Sequence, residues 1–293
     1  MSNELRSQFL PAIGVGLFLA AGATSLAVAL QAQVSASSKP ASTISFDAVD
    51  RKAIEARLKS APQKNPEREA ELERMFEQAG CKGASLSEQP VSHQDLPNVI
   101  CSERGGSASF IIVGAHYDKV ARGSGVIDNW SGASLLPSLF ESLDGRPRKH
   151  TFLFVGFTAE EQGMIGSKFY VKWMTPQQVD ETRAMVNIDT LALGPTKVWL
   201  NHSAPALASA FFAVAQSMKL PVAVVNADNV GDDDSESFIR RKIPTLMVHS
   251  VTQPTLRILH SKDDNYGAVR FDDYYDSYRL LAAYLAYLDA TLP

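Results

Sequence analysis

Two adjacent glutamates follow a short apolar run in the middle of the chain. Glu160 and Glu161 come soon after residues 151–157, TFLFVGF, a run typical of a buried strand. Such a pair can be a solvated helix start, because carboxylates favour helix N-termini. It can also do chemistry, since one carboxylate can bind a metal while the other moves a proton. The residues that accompany the pair decide between these interpretations.

Other ionisable residues also follow apolar runs. His116 and Asp118 come after residues 109–114, and Asp189 comes directly after residues 184–188. In open α/β sheets, ligands gather just beyond the carboxyl ends of the strands. The sequence therefore predicts that these side chains and the glutamate pair lie at one edge of a sheet.

Two further candidates lie in longer motifs. Asp128 stands in GVIDNWSG and His260 stands in LHSKDD. Carboxylates crowded together without cations repel one another and take up protons, whereas a divalent metal removes this conflict. Imidazole and carboxylate groups suit zinc, and a pair of ions about 3.5–4 Å apart is a known hydrolytic arrangement.

The apolar runs alternate with segments of helical periodicity, as a layered α/β domain requires. Strands that are apolar throughout are buried on both faces. We predict an α/β fold with three layers, α/β/α, around a central, mostly parallel mixed sheet. The predicted strands are 109–114, 151–157, 184–188, 222–225 and 245–248, and the predicted helices are 46–60, 65–79, 131–143, 166–173, 205–218 and 272–288.

The motifs resemble those of the M28 zinc aminopeptidases, which bind two zinc ions. They are HYD at 116–118, DNWSG at 128–132, EEQGMIGS at 160–167, NID at 187–189 and LHSKDD at 259–264. They occur in the family's order, and the resemblance covers roughly residue 65 to the C-terminus. The resemblance implies a zinc-dependent exopeptidase-like fold and the release of N-terminal residues from peptides.

The resemblance also implies a ligand set for two Zn²⁺ ions per chain. Asp128 corresponds to the ligand that bridges the two ions. His116 and Asp189 correspond to the ligands of one zinc, and Glu161 and His260 to those of the other. Successive candidate ligands are separated by 12, 33, 28 and 71 residues.

The same resemblance makes Glu160 the general base, a role worth roughly 10²–10⁴-fold in rate. Asp118 lies two residues after His116, where it can orient the imidazole, so we count it with Glu160 as a catalytic residue. The family further implies a cis peptide bond after Asp128.

One region departs from the family pattern. The family usually has Ser followed by Asp and an aromatic residue or His, whereas this chain has Ser-Glu-Ser-Phe at 235–238, which affects the substrate pocket rather than the metals. The preceding residues, Asp232 to Asp234, are predicted to form a solvated turn. The remaining histidines, expected to be structural or exposed, are His93, His150, His202 and His249.

The beginning of the chain differs from the rest. Residues 9–30 carry no charge and are long enough to span a bilayer as a helix, and small residues follow at 34–36. We predict a signal peptide or N-terminal membrane anchor at 1–36, a linker at 37–45 and the peptidase domain at 46–293. A buried core helix is a third interpretation of the apolar segment. The protein is expected to be exported, periplasmic or secreted, with membrane contact only through an uncleaved segment.

Cys81 and Cys101 are the only thiols of the sequence. An oxidising compartment would favour pairing them, and both stand in polar, turn-like surroundings. We predict a disulfide, with two unpaired core cysteines as the alternative.

Composition excludes some functions. The chain has 293 residues, 45% of them apolar, and a net charge of -4 with both signs interspersed, which does not favour nucleic acid as a partner. The glycine-rich fingerprints of nucleotide-binding folds and the serine-hydrolase elbow are missing. A peptide substrate is the expected partner. Two alternatives are a single-zinc glutaminyl cyclase and a non-catalytic binding protein on the same fold.

Overall fold

A computed structural model describes residues 46–226 and 231–293. The predicted N-terminal segment at 1–36 and the linker at 37–45 lie outside these residues. Within the described part of the chain, no helix has both the length and the apolar character needed to cross a bilayer.

The centre of the fold is an eight-stranded mixed sheet formed by the described residues. Its strands are β1 (Leu86–Gln89), β2 (Asn98–Glu103), β3 (Phe110–His116), β4 (Thr151–Phe157), β5 (Thr182–Ile188), β6 (Lys197–Val198), β7 (Ala223–Val224) and β8 (Thr245–His249). Their spatial order is β1-β2-β4-β3-β5-β8-β6-β7. The four central strands β4, β3, β5 and β8 are parallel, whereas β2 and β6 join them in antiparallel pairs.

Helices cover both faces of this sheet. They are α1 (Arg51–Lys59), α2 (Asn65–Gln78), α3 (Ser131–Ala133), α4 (Leu135–Leu143), α5 (Ile165–Trp173), α6 (Pro176–Glu181), α7 (Pro205–Met218), α8 (Ser235–Ile239) and α9 (Phe271–Thr291). Ile111 and Val113 of β3 pack in the core shared with α1, α2, α4, α7 and α9, and Ile112 packs in the core shared with α5 and α8. This alternation along one strand confirms the predicted three-layer fold.

The strands read from apolar runs are confirmed where the sheet is buried. β3, β4, β5 and β8 match the predicted bounds to within two residues. The prediction at 222–225 is wrong in extent, because only Ala223–Val224 pair, and both residues are exposed at the edge of the sheet. β1, β2 and β6 were not predicted. β1 is a polar, partly exposed strand that its pairing with β2 stabilises.

Local caps set the bounds of the first two helices. Asp50 accepts a hydrogen bond from the N–H of Lys52, so α1 begins at Arg51 rather than at the predicted residue 46. In α2 a proline stands in the first turn, and the chain leaves the helix through Gly80 at φ +106°. A left-handed residue just past the last turn is a common helix terminator, and glycine adopts it without steric cost.

A disulfide links Cys81 and Cys101, as predicted. It joins the segment after α2 to strand β2, with a Cα–Cα distance of 6.2 Å. Both cysteines are fully buried. Cys81 lies just after the turn that ends α2, in the turn-like surroundings expected, whereas Cys101 lies inside β2 and packs in the core shared with α2.

Reduction of this disulfide is expected to lower the free energy of unfolding by about 3 kcal/mol, because the bond closes a loop of 20 residues in the unfolded chain. Chemical denaturation with and without reductant measures the difference. The control is a Cys81→Ala/Cys101→Ala variant, whose stability should be the same in both conditions. Wild-type protein that is equally insensitive to reductant would contradict the expectation.

Candidate functional site

The carboxyl ends of three parallel strands bring the predicted residues to one edge of the sheet. β3 ends at His116, and β5 ends at Ile188, directly before Asp189. The glutamate pair that begins with Glu160 lies in the turn that follows β4. Because β4, β3 and β5 are parallel neighbours, these ends meet.

Two sets of three side chains hold ligand atoms within 4.8 Å of one another in this region. One set is His116, Asp128 and Asp189, and the other is Asp128, Glu161 and His260. The structure thus brings together all five residues that the sequence proposes as metal ligands. Asp128 is common to both sets.

The two oxygens of Asp128 face different histidines. Oδ1 lies 3.3 Å from Nε2 of His116, and Oδ2 lies 3.1 Å from Nε2 of His260. The His116 nitrogen also lies 3.6 Å from Asp189 Oδ1, and the His260 nitrogen lies 2.9 Å from Glu161 Oε2. A carboxylate with one oxygen directed into each set has the arrangement of a bridging ligand.

The side chains fit a divalent cation. Oε1 of Glu161 is buried and has no hydrogen-bond partner among the described residues, and a buried carboxylate oxygen without a partner is costly. A cation coordinated there would supply the missing partner. The nitrogen and oxygen donors of the two sets are those that zinc takes in proteins.

Several side chains of the cluster have raised pKa values. Burial raises the pKa of Glu160 to about 9, although the positive charge of His116 opposes this shift. Burial alone would lower the pKa of His116, but the charges of Asp189 and Glu160 outweigh it and raise that pKa well above its usual value. Hydrogen bonds, first to Asp128, raise the pKa of His260 to about 10. A cation would therefore displace protons from this cluster.

Asp118 holds the main chain of the glutamate pair. Its Oδ1 accepts the N–H of Glu160 at 3.0 Å, and its Oδ2 accepts the N–H of Glu161 at 3.3 Å. The side chain of Glu160 then lies 3.8 Å from His116, whereas that of Glu161 reaches His260. The side chains of these adjacent glutamates thus lie beside different histidines. Asp118 also lies beside His116, with Oδ1 3.4 Å from Nδ1.

Two residues to which the sequence assigns no role, Asp264 and Asn129, fix the main chain at Asp128. Asp264 accepts the N–H groups of Ile127 at 2.7 Å and of Asp128 at 3.3 Å. Asn129 donates to the carbonyl of Ile188 at 2.9 Å and ties this turn to β5. The Asp128–Asn129 peptide bond is cis, as the resemblance implied. The motifs DNWSG and LHSKDD contained both residues, but their partners are main-chain groups that a sequence does not display.

The interpretation of Asp232 to Asp234 as a solvated turn was wrong for two of its three residues. Asp233 is 3% exposed and Asp234 is 1% exposed. Asp233 accepts hydrogen bonds from Asn187 at 2.8 Å and from Nδ1 of His202 at 2.6 Å. These partners stabilise a buried carboxylate. Burial raises the pKa of Asp234 to about 8.

The other histidines have structural or exposed positions. His93 is exposed, and His150 is buried between Ser109 and the main chain near the C-terminus. Burial lowers the pKa of His249 to about 4, so the ring is neutral, and its Nε2 donates to the carbonyl of Val225. Stacking on Trp199 orients His202, with ring centroids 3.9 Å apart.

A cavity of 580 Å³ opens in front of the two ligand sets. Asp128, Glu160, Glu161, Asp189 and His260 line it. Its lining also includes apolar side chains, Met164, Trp199, Met247, Val251, Leu256 and Leu259, and further polar ones, Thr190, Asp232, Asp233 and His249. The cavity therefore suits a ligand that has both polar and apolar groups.

Comparison with known proteins places these features in a family. The family model described as Peptidase family M28 matches residues 98–285. Leucine aminopeptidase 2 of Trichophyton rubrum is 33% identical over 95 residues, which is 32% of this chain and 19% of that protein. The matched part of the chain thus spans about a fifth of the length of this relative.

Solved structures share the fold at low sequence identity. The LapA aminopeptidase of Legionella pneumophila has a TM-score of 0.71 at 18% identity, covering 83% of this chain and 71% of that chain. A zinc aminopeptidase of Bacillus subtilis has a TM-score of 0.59 at 20% identity, covering 67% and 50%. A glutaminyl cyclase from an Acidobacteriales bacterium has a TM-score of 0.69 at 15% identity, covering 84% and 97%.

Replacement of the shared carboxylate is expected to abolish metal binding at both sets. Zinc content after dialysis should fall to background in Asp128→Ala, whereas His260→Ala should keep the ion of the set built around His116. Glu73→Gln is the control, because it removes a carboxylate from a separate acidic cluster that contains no histidine. An Asp128→Ala protein with wild-type zinc content would contradict the shared-ligand geometry.

Proposed function

The chain belongs to peptidase family M28, and from this membership we propose that it is an aminopeptidase, which hydrolyses peptide bonds and releases N-terminal amino acids. We further propose that it acts with two zinc ions per chain and with Glu160 as general base. The proposed ligands are His116 and Asp189 for one zinc, Glu161 and His260 for the other, and Asp128 for both.

The contact of Asp128 with two histidines carries this proposal. A carboxylate that faces one histidine with each oxygen could be a ligand of two cations. Zinc is supported by the donor types and by the shared fold of the Bacillus subtilis zinc aminopeptidase. Aminopeptidase activity is supported by the similarity to leucine aminopeptidase 2 of Trichophyton rubrum.

Glu160 has the position of a proton carrier. It belongs to neither ligand set, and Asp118 fixes its main chain beside them. When bound, a zinc pair supplies Lewis acidity that lowers the pKa of a water molecule to about 7 and polarises a carbonyl. In this role Glu160 would act as general base, accepting a proton from the attacking water molecule and delivering it to the departing amine.

The cavity orients the substrate. Its lining includes apolar side chains, among them Met164, Trp199 and Leu256, which would contact the N-terminal side chain of a peptide bound beside the metal centre.

Export is part of the proposal. Disulfides form and persist in oxidising compartments, so the buried bond between Cys81 and Cys101 supports a periplasmic or secreted protein. The apolar segment within residues 1–36 would direct this export as a signal peptide or a membrane anchor.

Glutaminyl cyclase activity is the second candidate function. The glutaminyl cyclase of the Acidobacteriales bacterium shares the fold along 97% of its chain. A single-zinc enzyme does not require both ligand sets, so the presence of both favours the peptidase. A non-catalytic binding protein would be expected to have gaps in these sets, and all five side chains are present.

Activity assays separate these functions. The protein is offered a leucine anilide and, in parallel, a peptide with N-terminal glutamine, and bound zinc is counted in the same sample. Release of leucine with two zinc ions per chain is the expected result. Cyclisation of glutamine alone, with one zinc per chain, would identify the cyclase instead.

Replacement of the proposed base should separate catalysis from metal binding. In Glu160→Gln, zinc content should remain that of the wild type, while kcat on a leucine anilide falls roughly 10²–10⁴-fold, because the amide cannot accept a proton. The neighbouring Glu161→Gln is the contrast, and it should lose zinc. A Glu160→Gln enzyme with unchanged kcat would remove Glu160 from its assigned role.

A further inference from the structure

Helix α2 packs against the loop that connects two of the proposed metal ligands, His116 and Asp128. This loop, residues 117–125, runs from His116 at the end of β3 to the turn that contains Asp128. α2 precedes residues 98–285, the part of the chain that the family model matches. Its contacts with the loop therefore come from residues that precede the matched segment.

Arg68 of α2 binds both ends of this loop. The side chain is fully buried. Its Nε donates to the carbonyl of Tyr117 at 2.5 Å, and its Nη2 donates to the carbonyl of Gly125 at 2.6 Å. Its Nη1 donates to the carbonyl of Ser124 at 3.2 Å. One rigid planar group thus fixes the distance between the first and last residues of the loop.

The same guanidinium also contacts the segment after Asp128. Its Cζ lies 5.0 Å from the centre of the Trp130 ring, a distance at which a cation is attracted to an indole face. Arg68 is therefore in contact with the chain on both sides of Asp128.

A second side chain of α2 holds the loop near its beginning. Nδ2 of Asn65 donates to the carbonyl of Lys119 at 3.3 Å, and Oδ1 of Asn65 accepts the N–H of Lys119 at 3.1 Å. Asn65 is the first residue of α2 and is only partly buried. Two residues of one helix thus bind the loop at both ends and at Lys119.

We propose that Asn65 and Arg68 are positioning residues that set the spacing between His116 and Asp128 and thereby the affinity of the site for its metal pair. The inference rests on the proposed two-zinc function. Neither residue touches a metal or the substrate; both act through the main chain of the loop.

The charge of Arg68 and its hydrogen bonds affect the metal affinity of the site in opposite directions. Burial lowers the pKa of Arg68 to about 10, an effect that Asp118 and Asp264 oppose, so the group stays cationic at neutral pH. A cation near the site repels metal ions, and its removal would raise their affinity. The loss of the three carbonyl contacts would instead release the loop and lower the affinity. Because the guanidinium donates to carbonyls of the loop rather than to carboxylates, we expect the loss of these hydrogen bonds to outweigh the loss of the charge.

The test compares three variants of the full chain. Arg68→Met removes both the charge and the donors, Arg68→Lys keeps the charge but cannot span three carbonyls, and Asn65→Ala leaves Arg68 unchanged. Zinc affinity is measured by competition with a chromophoric chelator, and the visible spectrum of the Co²⁺-substituted protein reports the ligand geometry. Each variant should bind zinc about 10–100-fold more weakly, with a changed cobalt spectrum.

Arg148 provides a matched control. It is also buried, and it donates from Nε and Nη2 to the carbonyl of Leu143. It precedes β4, at the end of the sheet opposite to the site. Arg148→Met and Arg148→Lys should lower the thermal stability of the protein but leave zinc affinity and the cobalt spectrum unchanged.

The outcomes separate this inference from the proposed function. Wild-type protein that binds no zinc would refute the two-zinc function itself. Wild-type protein that binds two zinc ions, together with Arg68 and Asn65 variants of equal or higher affinity, would overturn only the positioning role. If Arg68→Met does not fold, Asn65→Ala decides, because its side chain lies on the first turn of α2 and is partly exposed.

Discussion

The carboxylate of Asp128 is the constraint on which the rest of the site depends. One oxygen must face His116 and the other His260, although these histidines lie far apart in the sequence. Any error in the position of Asp128 therefore affects both ligand sets at once. The structure fixes this residue through its main chain, with Asp264 bound to its N–H and Asn129 bound to β5.

The sheet brings the residues of the site together, and the loops orient their side chains. The parallel strands bring their carboxyl ends to one edge of the sheet, which places His116 and Asp189 near each other. The loops then orient the side chains. Asp118 binds two successive N–H groups, so that adjacent glutamates serve different sides of the cluster. α2, which precedes the residues that the family model matches, braces the loop between His116 and Asp128.

Much of this arrangement is predictable from the sequence, because apolar runs identify the buried strands and the ends of parallel strands must meet. The contacts that orient the site are not predictable in the same way. Asp264 and Arg68 act on main-chain groups, whose positions depend on the completed fold. Three consecutive aspartates look solvated in sequence, yet Asn187 and His202 provide buried partners for Asp233. Polar β1 becomes a strand only through pairing with β2.

Crystallographic anomalous scattering at the zinc edge tests the central claim most directly, since it locates each ion relative to the carboxylate of Asp128. Two peaks are expected, one on each side of that carboxylate, separated by about 3.5–4 Å. One peak should lie beside His116 and Asp189, and the other beside Glu161 and His260. A single peak, or zinc bound away from Asp128, in a protein crystallised with excess zinc would contradict it.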